Sequence, residues 1–129
     1  MNYLLDTNVA LWWFEGSNRL KKSLREALTD RTNAVFLSAV STWEITIKAA
    51  VGKLRLPVAP KAYLAPRIAR AGFTFLPIEA EHTYEVFSLP MHHYDPFDRL
   101  LIAQARIADL SIVTGDRSFA RYDVRCVEI

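Results

Sequence analysis

Short apolar runs alternate along the chain with longer stretches whose apolar residues recur at helical spacing. The short runs are Tyr3-Leu4-Leu5, Ala34-Val35-Phe36-Leu37, Phe73-Thr74-Phe75-Leu76, Ile112-Val113 and Val124 to Val127. Runs that are continuous rather than alternating belong in a sheet covered on both faces. Between them, Leu20, Leu24, Ala27 and Leu28 follow the i, i+4, i+7, i+8 pattern, with Lys21, Lys22, Arg25 and Glu26 on the other face. This predicts a first amphipathic helix. Val40 to Val51 reads as a second, with Gly52 as its C′ residue. Pro60 to Ala71 is a third, kinked or broken near Pro66. Glu79 to Leu89 is a fourth. Phe97 to Leu110 is a fifth, apolar nearly all round and therefore expected to be deeply buried. Strands alternating with helices predict a parallel sheet of about five strands with right-handed crossovers, in a three-layer α/β domain. No repeat, low-complexity segment or linker interrupts the pattern, and 129 residues fit a single domain over 1–129.

Composition narrows the class. With 51% hydrophobic and 23% charged residues the chain has material for one core, which argues against intrinsic disorder. No apolar run approaches the roughly 20 residues of a membrane helix. The apolar start, Met1 to Phe14, contains Asp6 and lacks a basic opening, so it does not read as a signal peptide. A single cysteine, Cys126 in the last strand, leaves no internal disulfide framework and no multi-cysteine zinc site. A reducing, cytoplasmic location is the simplest expectation, with Cys126 an inert core residue.

Net charge is only +2, but it is unevenly spread. Arg19 to Arg70 holds eleven basic residues against three acids, and Ala71 to Ile129 holds five against nine. A basic first half suits a polyanion such as RNA, while solvated helix faces account for it as well.

Four acids stand out by position. Asp6 closes the first strand, Glu44 lies in the first turn of the second helix, Asp98 opens the buried helix and Asp116 follows the fourth strand. Each has a structural explanation. Asp6 suits an N-cap. Ser41 and Glu44 fit an S-x-x-E capping box. Asp95-Pro96 is an N-cap followed by proline, which leaves Asp98 in a dipole-favoured first turn. Asp116 suits the cap of a short helix through Phe119. Yet in an open parallel sheet all four junctions share the edge where ligands bind. Ser, Thr or Asn would cap equally well, and here every junction supplies a carboxylate. Crowded carboxylates repel and call for a cation. Oxygen ligands without clustered His or Cys favour Mg²⁺ or Mn²⁺ over zinc. Such a site suits metal-dependent phosphodiester hydrolysis.

The motifs also carry a resemblance. Leu4-Leu5-Asp6-Thr7-Asn8, Ser38-x-x-Ser41-x-Trp43-Glu44, the block from Leu89-Pro90-x-His92-His93-x-Asp95-Pro96-Phe97-Asp98-Arg99 through Leu100-Leu101-Ile102-Ala103-Gln104-Ala105, and Thr114-x-Asp116 run the length of the chain. Together they resemble the PIN-domain ribonucleases, and within them the VapC-type toxins of toxin–antitoxin pairs. No acidic position of the pattern is missing. The resemblance implies a PIN-like fold and a Mg²⁺- or Mn²⁺-dependent endoribonuclease acting on tRNA or rRNA. It implies inhibition by a small cognate antitoxin and assembly through a toxin homodimer. It assigns Asp6, Glu44, Asp98 and Asp116 as the acidic quartet, with Asp6 and Asp98 the firmest metal ligands, Asp116 direct or through water, and Glu44 binding metal or orienting water. Thr7, Asn8 and Thr114 would position carboxylates.

Further residues carry open alternatives. Asp95 is explained by capping alone. His92 and His93 suit phosphate contact, a proton shuttle or a plain loop. Arg99 suits a phosphate or a nearby acid. Lys48 lies four residues after Glu44, the spacing of an intrahelical ion pair. Lys53 and Arg55 suit backbone contact or a solvated loop. Trp12, Trp13 and Phe14 cannot all face one side of a helix, so core packing competes with an antitoxin or dimer contact. Two other functions compete with the enzyme: a PIN-like RNA- or protein-binding module without catalysis, and a receiver-like signalling domain. The latter wants an acidic pair after the first strand, a phospho-accepting Asp after the third and a late Lys. Here Asp6 stands alone, the third strand ends Leu76-Pro77, and no Lys follows Lys61.

Overall fold

The computed structural model describes residues 1–129. Its elements run β1 (Asn2–Leu5), α1 (Thr7–Glu15), α2 (Lys22–Thr29), β2 (Ala34–Ser38), α3 (Ala39–Ala50), α4 (Pro60–Ala71), β3 (Thr74–Leu76), α5 (Ala80–Glu85), α6 (Pro96–Ala108), β4 (Ser111–Thr114) and β5 (Cys126–Glu128). Single 3-10 segments cover Val86–Ser88 and Arg117–Arg121. All four strand pairings are parallel, in the order β3-β2-β1-β4-β5. The expected parallel α/β architecture is therefore the observed one.

Strand periodicity divides the core. Leu4 and Ile112 face one side of the sheet, where they join Val40, Leu100, Leu101 and Phe119. Leu5 and Val113 face the other and join Val9, Leu20, Leu24 and Leu28. Both faces are covered, which is why these strands read as continuous apolar runs. A small third cluster of Leu11, Ile45, Tyr63 and Leu64 ties α3 and α4 to α1. Each fully buried Leu or Ile contributes roughly 1.5–3 kcal/mol relative to exposure.

Several boundaries differ from expectation for identifiable reasons. Helix α4 runs through Pro66. The bond lost there belongs to the carbonyl of Ala62, and both residues are exposed, so solvent can replace it. The fourth helix ends early because the carbonyls of Val86, Leu89 and Pro90 turn toward the buried guanidinium of Arg99, at 3.3, 3.2 and 2.8 Å. Strand β5 starts two residues late, after a tight turn in which Val124 N–H donates to Tyr122 O. The expected deep burial of the fifth helix holds from Arg99 to Ala105, while Ile107 and Ala108 are exposed. Gly52 follows α3 at φ 77°, the left-handed conformation expected of a C′ glycine. No helix is long and apolar enough to cross a membrane.

Candidate active site

The strand order reverses direction between β1 and β4, and the crevice beyond their carboxyl ends is the usual binding position in such sheets. Asp6 sits at the end of β1, where its N–H donates to Val113 O at 3.0 Å. It precedes α1 but its side chain does not cap that helix. Instead Oδ2 accepts a 2.8 Å hydrogen bond from the buried Thr114 hydroxyl. The same hydroxyl accepts from Asp116 N–H at 2.9 Å, so one threonine fastens the β1 and β4 junctions together.

Glu44 is brought in by a second set of hydroxyls. Ser38, not Ser41, caps α3, accepting from Val40 N–H at 2.9 Å. The helix therefore begins earlier than its sequence suggests. Glu44 lies in its second turn, and the expected Ser41–Glu44 capping box does not form. Ser41 is freed to meet the Thr7 hydroxyl at 2.9 Å, which draws the start of α3 against the start of α1. Ser38 also donates to Gln104 Oε1 at 2.5 Å, pinning α3 to α6 inside the core. The cap of α6 is as expected: Asp95 Oδ1 accepts from Asp98 N–H at 3.0 Å. Asp116 also caps, accepting from Ser118 N–H at 2.9 Å, and is exposed.

The electrostatics tie the four acids together. Burial pushes the Asp98 carboxyl up to about 8, with further increases from Asp95, Asp6, Glu44 and Asp116. Burial likewise raises Asp6 to about 6, opposed by the Thr114 and Thr7 hydrogen bonds and assisted by Glu44 and Asp116. Asp98 is thus disfavoured as an anion despite its place in a first helical turn. Glu44 is 5% exposed. Its Oε2 holds Lys48 Nζ at 2.5 Å, the expected i, i+4 pair, and its Oε1 is buried without a hydrogen-bond partner. The lysine is held protonated above its ordinary range, first by that hydrogen bond. As they stand, no three acidic, His or Cys side chains are grouped closely enough to hold an ion. Several oxygens are committed elsewhere, Glu44 Oε2 to Lys48 and Asp116 Oδ1 to Ser118.

The remaining candidates separate clearly. Arg99 meets neither an acid nor the surface: it is 6% exposed and donates to backbone carbonyls and to the Tyr122 hydroxyl. His93 Nε2 lies 3.4 Å from Asp98 Oδ2. His92 is exposed, edge-on to Tyr122. Trp12, Trp13 and Phe14 are all half-buried, packed against the core, with Arg19 over Trp12 and Arg25 over Trp13. Asn8, Lys53 and Arg55 are exposed, and Cys126 is half-buried. Tyr122, which meets His93 and Arg99, is a neighbour of the site that spacing does not single out, because a lone tyrosine has no positional signature.

Thr114→Val tests the hydroxyl link. It removes a hydrogen bond to a carboxylate while keeping the branched shape, and is expected to cost about 1–3 kcal/mol. Asp6 should titrate higher than in the wild type, as followed by carboxyl ¹³C shifts. An unmoved Asp6 titration would show that the bond does not govern that carboxylate.

The family profile of the PIN domain matches residues 3–125. Ribonuclease VapC16 of Mycobacterium tuberculosis is 37% identical over 59 residues, a match spanning 46% of this chain and 42% of that relative. The match thus reaches less than half the length of the relative. Among solved structures, VapBC2 from Rickettsia felis bound to a promoter DNA fragment aligns with a TM-score of 0.75 at 18% identity, over 100% of this chain and 99% of that one. DNA-bound VapBC from Salmonella typhimurium aligns with a TM-score of 0.71 at 16% identity, over 99% and 98%. At these identities the likeness is one of fold.

Proposed function

The chain belongs to the PIN-domain family, and from that premise we propose that it is the endoribonuclease toxin of a toxin–antitoxin pair, hydrolysing RNA phosphodiester bonds with a divalent metal ion in the cytoplasm. The observation that carries the reading is the gathering of Asp6, Glu44, Asp98 and Asp116 at one sheet edge, where burial and mutual repulsion raise Asp6 and Asp98 well above the ordinary carboxylate range.

The donors suit such an ion in kind, and holding it requires them to draw together, with Glu44 and Asp116 turning from Lys48 and Ser118. The donor set is all oxygen, as Mg²⁺ and Mn²⁺ prefer. Glu44 Oε1 is a buried acceptor with no partner in the protein. Two neighbouring carboxyls are unfavourable as free anions, which a nearby cation reverses. Asp6 and Asp98 are the principal ligands in this reading, with Asp116 binding directly or through water and Glu44 binding or orienting water. A bound divalent ion supplies a Lewis acid for the phosphodiester and a source of hydroxide near neutral pH. Thr114 orients Asp6, and Asp95 fixes the helix end that carries Asp98. The exposed bases of α2, α4 and the loop after α3, Lys53 and Arg55 among them, are suited to hold the RNA backbone. A small antitoxin is the proposed protein partner, and self-association to a homodimer accompanies it.

The test is incubation of the purified chain with mixed cellular RNA in MgCl₂, MnCl₂ or EDTA. Internal cleavage in either metal and none in EDTA is expected. Undiminished cleavage in EDTA would remove the metal from the mechanism. A folded chain inert in both metals would favour the binding module without catalysis.

A further inference from the structure

Hydrogen-bond accounting around Tyr122 leaves one arrangement. Its hydroxyl oxygen lies 3.2 Å from the His93 backbone N–H and 3.2 Å from Arg99 Nη1, two groups that can only donate. Both lone pairs are then taken. The phenolic proton goes to His93 Nδ1, 2.6 Å away. A ring nitrogen that accepts carries no proton, so in the neutral imidazole the proton is on Nε2. That Nε2 is buried, has no full hydrogen bond, and lies 3.4 Å from Asp98 Oδ2.

The setting is built rather than incidental. Arg99, one residue beyond Asp98, is buried and holds the carbonyls of Val86, Leu89 and Pro90. It thereby folds the segment leading to His93 down onto α6. The Phe119 ring lies edge-on to the imidazole at 6.4 Å. His93 and Tyr122 are 29 residues apart in the chain, and this packing brings them together.

We infer that His93 is a positioning residue for Asp98: Tyr122 holds its ring in the Nε2–H tautomer, which turns that N–H toward Oδ2 of Asp98, 3.4 Å away, and steers the carboxylate that would hold the ion. The inference rests on the metal-site reading above. Removing a partner of this kind, outside the ligand set but turned toward a coordinating carboxylate, typically changes metal affinity or activity by about 10–100-fold.

The experiment titrates MnCl₂ alone into the full chain, following free Mn²⁺ by electron paramagnetic resonance, with ¹⁵N spectra of the imidazoles recorded in parallel. His93→Ala should weaken Mn²⁺ binding by about 10–100-fold. His93→Gln, whose amide N–H can stand where Nε2–H stood, should keep most of the affinity. Tyr122→Phe should fall between them. RNA cleavage by His93→Ala should recover as Mn²⁺ is raised, which damage to the fold would not allow. In the wild type the His93 proton should be found on Nε2. A proton on Nδ1, or His93→Ala binding Mn²⁺ as the wild type does, overturns the positioning role. Asp98→Asn separates the two levels: if it binds Mn²⁺ undiminished, the metal-site reading itself fails, whereas its loss alongside a normal His93→Ala removes only the inference. Should His93→Ala not fold, the wild-type tautomer and His93→Gln still decide.

Discussion

Asp98→Asn and Asp6→Asn are each expected to lower RNA cleavage by about 100-fold or more while leaving a folded protein. Losing a single group that stabilises charge in the transition state commonly costs that much, and each substitution here also removes a metal ligand in the proposed site. Asparagine keeps the shape of both side chains. At position 6 its amide oxygen can still accept from Thr114, so the β1–β4 link survives. What disappears is the negative charge. Asp95→Ala is the informative contrast. Asp95 is exposed and its recorded hydrogen bond is the cap on Asp98 N–H. Its loss should cost about 0.5–2 kcal/mol of stability and far less activity than the loss of Asp98. Cleavage rates measured in saturating MgCl₂, with circular dichroism to confirm folding, decide the matter. Equal losses at positions 95 and 98 would mean that Asp98 matters only through its helix. Cleavage by Asp98→Asn at the wild-type rate would place the reaction elsewhere.

The same acids show what spacing can and cannot disclose. Alternation of continuous apolar runs with amphipathic stretches is a property of burial on both sheet faces. It survives in the sequence because Leu4 and Leu5, or Ile112 and Val113, must satisfy opposite faces at once. The carboxylates were legible for a related reason: parallel topology sends every strand-to-helix junction to one edge. Helix starts were less legible. Ser38 and Ser41 both suit an N-cap, and what decides between them is a contact 66 residues away in sequence, the Ser38–Gln104 hydrogen bond. Arg99 looked like a partner for phosphate or acid, since an arginine beside an aspartate usually is one. Its burial against backbone carbonyls depends on how the chain folds back from Val86 to Pro90, and no periodicity encodes that. Tyr122 was invisible for the same reason.

Asp98→Asn is also expected to melt at or above the wild type in EDTA, and the difference should grow with pH. The sign follows from the direction of the shifts. Asp98 is raised from 3.8 to about 8 and Asp6 from 3.8 to about 6, each chiefly by burial. Between the unfolded and folded values, the native state holds protons that the unfolded chain releases. Stability therefore falls as pH rises through that window. The Asp6 contribution is spent by about pH 6 and the Asp98 contribution by about pH 8. At pH 5, early in that window, only a small part of the Asp98 contribution has been lost, so the melting points should differ little. At pH 8 the wild type must ionise a carboxyl among Asp95, Asp6, Glu44 and Asp116, and the variant need not. Excess MgCl₂ should then raise the wild-type melting point, because an ion that binds only the native state stabilises it. The variant, lacking a ligand, should respond much less. Thermal melts of the two proteins at both pH values, in EDTA and in MgCl₂, give the comparison. A capping carboxylate would behave in the opposite way, since its replacement weakens the helix at every pH. A variant less stable than the wild type in EDTA, with an equal response to Mg²⁺, would make Asp98 a structural residue of α6 and nothing more.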